Sequence, residues 1–176
     1  NAGILVEVDN STVDVSGGIV DMSVYGNGVT VDANKAVVKF VQGGKIIVPT
    51  DTQNDLNYYS FAVYDGSVIY NIGSPNSIFN TKTNCNVVGN MLVDSSSADI
   101  NFAMNGTNSE FKGTVINNDG GNVDFWLGSG AVWNNISNNT NEIRAVSHIN
   151  NLSSVKDGSN IPVIGQYADS GDIVID

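Results

Sequence analysis

Two segments of this chain superimpose without a gap: Ala98-Asp99-Ile100-Asn101-Phe102-Ala103-Met104 and Gly121-Asn122-Val123-Asp124-Phe125-Trp126-Leu127, at a constant offset of 23 residues. In both, apolar side chains alternate with polar ones (Ile100/Val123, Phe102/Phe125, Met104/Leu127), the period-2 signature of a strand with one buried face. One residue is then dropped, and Phe111 falls on Trp133 at an offset of 22. A strand-and-corner unit recurring every 20–23 residues cannot bury its own apolar face, and neighbouring copies must stack to do so. The expected fold is therefore an all-β parallel β-helix, a solenoid of about eight coils when 176 residues are divided by that period. The first fifty residues repeat less cleanly, with Val13/Val15 recurring at Val29/Val31, and either join the same solenoid or form a cap.

The rest of the chain supports strands. Apolar runs such as Ile4-Leu5-Val6, Val29-Thr30-Val31, Val37-Val38-Lys39-Phe40-Val41, Phe61-Ala62-Val63 and Val68-Ile69-Tyr70 are bounded by Gly, Asn, Asp or Ser. Val (24) and Ile (16) far outnumber Leu (5), and Asn is the commonest residue at 26. β-Branched side chains suit pleated surfaces, whereas Asn, Gly and Ser weaken helix interiors and favour corners. No stretch of 10–12 residues carries a helical period. The alternative is a β-sandwich, whose strands also recur closely, but hairpin signals are few: Asn27-Gly28, Asp65-Gly66, Asn105-Gly106, Asp119-Gly120 and Asp157-Gly158. A single domain over 1–176 is expected, with a polar excursion at 49–57 and an Asn-rich corner or loop from Asn134 to Asn141.

Charge narrows the partners. Seven Lys and Arg against 18 Asp and Glu give a net charge of −11, which excludes a nucleic-acid footprint and disfavours anionic membrane surfaces. No apolar run approaches a membrane-spanning helix, so no direct membrane insertion of this segment is expected. Neither is a signal peptide visible, and the start in mid-pattern at Asn1-Ala2-Gly3 is expected of a fragment of a larger secreted protein. Cys85 stands alone, which rules out an internal disulfide framework and is expected to be a small buried hydrophobe.

The run GNVDFWLGSGAVWNN, from Gly121 to Asn135, resembles a coil of the passenger domain of bacterial autotransporters, the type V secretion family. Those coils pair an x-Val-x-Phe-x-Leu strand with a Gly-x-Gly-Ala-x-Trp strand. Phe102 to Phe111 resembles the preceding coil, and Ser147-His148-Ile149-Asn150-Asn151-Leu152 the segment that follows. The likeness covers about 98–155, a third of the chain. It implies a right-handed β-helix, export to the bacterial cell surface, anchoring through an outer-membrane barrel outside this chain, and adhesion or self-association. The family also includes passengers with protease or esterase domains.

No catalytic residue, cofactor or metal site is expected. His148 is the only histidine, no Gly-x-Ser-x-Gly elbow surrounds a serine, and Gly128-Ser129-Gly130 sits at a turn. Pairing Cys85 with His148 has no other support. Gly26-Asn27-Gly28 lacks the rest of a nucleotide loop, and Gly120-Gly121-Asn122-Val123-Asp124 departs from the calcium nonapeptide at Val123. Asp169-Ser170-Gly171-Asp172 is an acidic turn best read as solvated. The candidate binding residues are Trp126, Asp99, Asp124 and Asn101. Trp126 should point outward and Trp133 inward, and Asn101 is the repeat equivalent of Asp124. The expected partners are a host or bacterial surface glycan or protein, or a second copy of the chain, met through weak contacts multiplied along the solenoid. The alternatives are a carbohydrate-active β-helix enzyme using Asp99 and Asp124, a phage spike-like polysaccharide binder, and a stem that binds nothing.

Overall fold

The computed structural model describes residues 1–49, 57–74, 77–78, 84–139, 146–156, 162–168 and 171–176. Among them every regular element is a strand. Each coil of the chain visits three faces in turn. The first coil is β1 (Ala2–Val6), β2 (Thr12–Val15) and β3 (Ile19–Asp21). In the second, β4 (Asn27–Phe40) runs across two faces and β5 (Lys45–Ile47) forms the third. The third has β6 (Tyr59–Tyr70) in the same bent role, then an antiparallel pair, β7 (Ile72–Ser74) and β8 (Ser77–Ile78), then β9 (Asn86–Val88). The fourth is β10 (Asn90–Val93), β11 (Ala98–Met104) and β12 (Glu110–Lys112); the fifth is β13 (Val115–Asn117), β14 (Asn122–Leu127) and β15 (Val132–Asn134). The sixth contains β16 (Ser147–Ile149), β17 (Asn151–Lys156), β18 (Pro162–Val163), antiparallel to β17, and β19 (Gln166–Ala168); β20 (Ile173–Ile175) returns over β16.

All pairings between coils are parallel. The third face is a six-stranded sheet, β3-β5-β9-β12-β15-β19, so the solenoid completes about five turns between its first and last strand there. This corrects the eight coils expected from the sequence. The short period holds between coils four and five, where Ile100 pairs with Val123 and Phe111 with Trp133. Elsewhere the coils are longer: Val29 pairs with Phe61, 32 residues on, and Phe125 with Leu152, 27 on. Excursions between faces consume the difference. The recurrence of Val13/Val15 at Val29/Val31 is also not a coil register. Val13 pairs with Val38 and Val15 with Phe40, while Val29 and Val31 pair with Ile4 and Val6. Residues 1–47 thus belong to the same stack.

Inward side chains form columns. Phe40, Tyr70, Phe102 and Phe125 occupy one register position, with ring centroids 5.5, 4.8 and 4.9 Å apart. Phe111 and Trp133 join them from the third face, Trp133 lying 4.9 Å from Phe125. Such contacts each add about 0.5–1.5 kcal/mol beyond the area they bury. The core is continuous from Val6 to Ile149. In the first coil, which stacks on one side only, Ile4, Val13, Val15 and Val20 remain partly exposed.

Asp65-Gly66, Asn105-Gly106 and Asp119-Gly120 serve as corners, not hairpins, whereas Asn27-Gly28 opens β4 and Asp157-Gly158 lies outside the described residues. Gly66 has φ 82° inside β6, and a Cβ there would lie 2.5 Å from the Ala36 carbonyl oxygen. Only glycine lets the chain turn against the coil below at this point. Asn71, at φ 59°, makes the next corner; its buried amide has no hydrogen-bond partner among the described residues.

The Asn-rich run is a polar clip. Asn138 accepts from the Asn90 N–H (2.8 Å), its own N–H donates to Asn90 Oδ1 (3.0 Å), and its amide donates to the carbonyls of Pro49 (2.9 Å) and Tyr58 (3.0 Å). Asn139 donates to Asn57 Oδ1 at 2.7 Å. The two excursions expected at 49–57 and 134–141 therefore meet, although 50–56 and 140–145 lie outside the described residues.

Candidate functional site

Alternation along the second face decides which side chains reach solvent. With Ile100, Phe102, Val123, Phe125 and Leu127 inside, Asp99, Asn101, Asn122, Asp124 and Trp126 must point outward. Parallel pairing without a bulge then arranges them in columns. Asp99 stands beside Asn122; Asn101 beside Asp124 and then Asn151; Ala103 beside Trp126 and then Ser153. All four candidate residues thus lie on one patch of β11 and β14, with β17 completing it. Asn101, as expected, is the register partner of Asp124. Trp126 is partly exposed and Trp133 fully buried, its indole N–H donating to the Gly113 carbonyl at 2.9 Å.

The patch is polar and anionic. Asn151 donates to Asp124 Oδ1 at 2.7 Å. The side chains of Asp99, Asn101, Asn122 and Trp126 have no hydrogen-bond partner among the described residues. Partial burial raises the Asp99 carboxyl above the usual range, and the negative charge of Asp124 raises it further. In the central column the sequence of partners is Asp14, Lys39, Ile69, Asn101, Asp124, Asn151, so the only cation is separated from the patch by Ile69. Partly desolvated carboxylates beside free amides and an indole are suited to receiving hydroxyl donors.

The other singled-out residues fall elsewhere. Cys85 is buried in the third coil, beside Tyr70, Gly44 and Ser109, and burial pushes its thiol up, away from the reactive thiolate. His148 is exposed on the first face of the sixth coil, with Nδ1 3.2 Å from Asp176 Oδ2. The two are on different coils and faces. Ser129 is exposed in a turn between Gly128 and Gly130. In the acidic turn at 169–172, Asp169 and Ser170 lie outside the described residues, as does Arg144. Among the described residues no group of three or more His, Cys, Asp or Glu is placed to hold a metal ion.

Sequence reasoning missed a second exposed patch. Val24 and Tyr25 lie beyond β3, where the Asp21 carboxylate accepts from the Ser23 N–H at 3.0 Å and is held below its usual pKa mainly by Ser23. Val24 is 91% exposed, and Tyr25 meets Tyr58 edge-on at 5.3 Å. The signal available was the Met22-Ser23-Val24-Tyr25-Gly26 sequence, in which Gly26 and Ser23 mark a corner. Compared with known proteins, the chain matches no protein-family model, no curated protein and no solved structure.

Proposed function

We propose that this chain is a surface-displayed segment of a bacterial autotransporter passenger, a right-handed β-helix that mediates adhesion or self-association through weak, multivalent contacts. The observation that carries the proposal is the outward patch of Trp126, Asp99, Asn101 and Asp124 on a rigid parallel solenoid. Short equivalent strands repeat contacts along an axis, and repetition converts weak contacts into avidity. The small share of charged residues (14%), the single buried cysteine and the coil-like run Gly121–Asn135 support export as an unfolded chain that folds outside the cell. In this proposal the partner is a surface glycan or protein or a second copy, no cofactor takes part, and the barrel that anchors the chain lies outside it.

The test is adhesion itself. Beads coated with the chain should adhere to cells or clump with one another in a dose-dependent way, and beads coated with a heat-unfolded sample should not. Equal behaviour of the two would defeat the adhesive reading. A second reading, carboxylate-based polysaccharide hydrolysis, draws on the raised Asp99 beside Asp124, since such enzymes keep one carboxyl protonated beside an ionised one. It requires polysaccharide turnover that Asp99→Asn abolishes without unfolding the chain.

A further inference from the structure

Resting on that adhesive reading, we infer that the outer surface of β11, β14 and β17 binds an extended neutral polysaccharide lying along the solenoid axis. Trp126 supplies the platform for a sugar ring, and Asp99, Asn101 and Asp124 take its hydroxyls.

Three observations converge on this occupant. The first is charge. Asp99 and Asp124 share the patch without a cation, and the chain carries −11 overall, so sulfated or uronic polymers and nucleic acids are repelled. The same charges repel a second copy presenting this face, since Asp99 and Asp124 would meet their own likenesses. A neutral sugar chain escapes this penalty and offers many hydroxyl donors. Carboxylates accept them, and amides such as Asn101 both accept and donate.

The second observation is the surrounding of the indole. Trp126 lies in register between Ala103 and Ser153, two of the smallest side chains. No bulky neighbour in its own column overlies the ring, and Ser153 is exposed on the side toward the sixth coil. Its indole N–H has no partner among the described residues. Sugar rings present C–H groups on one surface and hydroxyls at the rim, so an aromatic surface flanked by acceptors matches their amphipathic shape.

The third is spacing. Asn101, Asp124 and Asn151 occupy one register position on successive strands, and strands stack about 4.8 Å apart. That is close to the advance of one ring in an extended pyranose chain. Along a strand, equivalent outward positions recur at about 6.6–6.8 Å. Over β11, β14 and β17 a polymer running along the axis therefore meets three successive hydrogen-bonding groups at this spacing, and one running along a strand does not.

The experiment is affinity electrophoresis of the whole chain in native gels containing hydroxyethyl cellulose, glucomannan or xylan, with heparin and polygalacturonate in parallel gels. Trp126 emission is followed in solution with the same polymers. The expected result is retardation by at least one neutral polymer, none by the anionic ones, and retention weakened at least about tenfold by Trp126→Ala, the scale of a lost aromatic anchor. Asn101→Arg obstructs the adjacent column without touching the indole packing and should weaken retention as well. Trp133 remains in Trp126→Ala and reports whether that variant is folded. Retardation that survives both substitutions would place the contact elsewhere, retardation by heparin would overturn the neutral class, and no retardation by any neutral polymer would overturn the proposal. If coated beads still adhere in any of these cases, the adhesive reading stands and only the ligand assignment fails; if beads do not adhere either, both fail.

Discussion

Replacing Asn138 by Asp changes almost nothing in shape and nearly everything in hydrogen bonding. The Asn138 side chain makes three bonds: its Oδ1 accepts from the Asn90 N–H at 2.8 Å, and its Nδ2 donates to the carbonyls of Pro49 and Tyr58 at 2.9 and 3.0 Å. The carboxylate keeps the first and turns the other two into oxygen facing oxygen. Each lost bond is worth about 0.5–1.5 kcal/mol, and a buried group deprived of its partner costs about 1–3 kcal/mol more. The ionised group must also be desolvated at a site that is 8% exposed. A loss of about 3–5 kcal/mol is expected at pH 7. At a urea slope of about 2 kcal/mol/M this lowers the midpoint by about 1.5–2.5 M.

Acid supplies the control. Burial and the facing carbonyls disfavour the charged form of the new carboxyl, so its pKa in the folded chain lies above that in the unfolded chain. The folded state then binds the proton more tightly, and stability returns as pH falls through the folded-state pKa, because a protonated carboxyl again donates one bond. Asn138→Ala loses all three side-chain bonds but has no group to protonate, so its deficit relative to wild type should not shrink in acid. Urea unfolding at pH 7 and pH 5, followed by circular dichroism and tryptophan emission, separates the two variants. An Asn138→Asp midpoint within about 0.3 M of wild type, taking the same urea slope, would refute the clip as an energetic element. So would an equal pH response of the Asp and Ala variants.

Three further outcomes follow from the same geometry. Trp133→Ala, which removes a fully buried ring stacked on Phe111 and tilted against Phe125, should cost about 3–5 kcal/mol, whereas Trp126→Ala should cost about 1 kcal/mol or less; equal thermal melts would contradict the facing assignment. Gly43→Ala places a Cβ 2.5 Å from the Cys85 sulfur at φ 65°, so it should lower the melting temperature, and the added Cys85→Ala change should restore part of the loss; strict additivity in this double-mutant cycle would show that the clash is not the cause. The raised Asp99 pKa means that stability is fullest below its unfolded-state pKa and declines as pH rises through the folded-state value, so Asp99→Asn should raise the neutral-pH melting temperature and lose that advantage in acid, as calorimetry across pH can check.

The register between coils four and five was legible because no excursion separates them; Ile100, Phe102 and Phe111 announce Val123, Phe125 and Trp133 directly. The same period failed elsewhere because it counts only strand and corner. The turn from Val29 to Phe61 takes 32 residues, and nothing in residue type says how many residues separate one strand from its partner in the next coil. Val13 and Val29 look alike because alternation labels a residue as inward without saying on which face it lies. The clip was hidden for a different reason. Asn138 is one of 26 asparagines, and its partners Asn90, Tyr58 and Pro49 lie 48, 80 and 89 residues away, so only the fold selects it. The candidate patch was legible through alternation alone, but the donation from Asn151 to Asp124 and the desolvation of Asp99 required the neighbouring coil and the burial.

The second face carries the patch, and the outward columns of the other two faces differ from it in kind. On the first face the outward column is Leu5, Thr30, Ala62, Leu92 and Ile116, and its middle members Thr30, Ala62 and Leu92 are buried although they point away from the core. The sheltered members of this column offer no surface, and what remains exposed at its end is the apolar Leu5. On the third face Glu110 accepts from the Asn134 amide, and the column of Ile47, Val88, Lys112 and Asn134 mixes apolar groups with a cation. Only on the second face do partly desolvated polar groups and an indole stand together without protein partners among the described residues. A polar side chain that is held half-buried and left unpaired gains little for the fold and is free to meet the partner proposed above. Substitutions at Asn101 and Trp126 should consequently separate from those at Trp133 and Asn138, the first set changing binding at nearly constant stability and the second changing stability first.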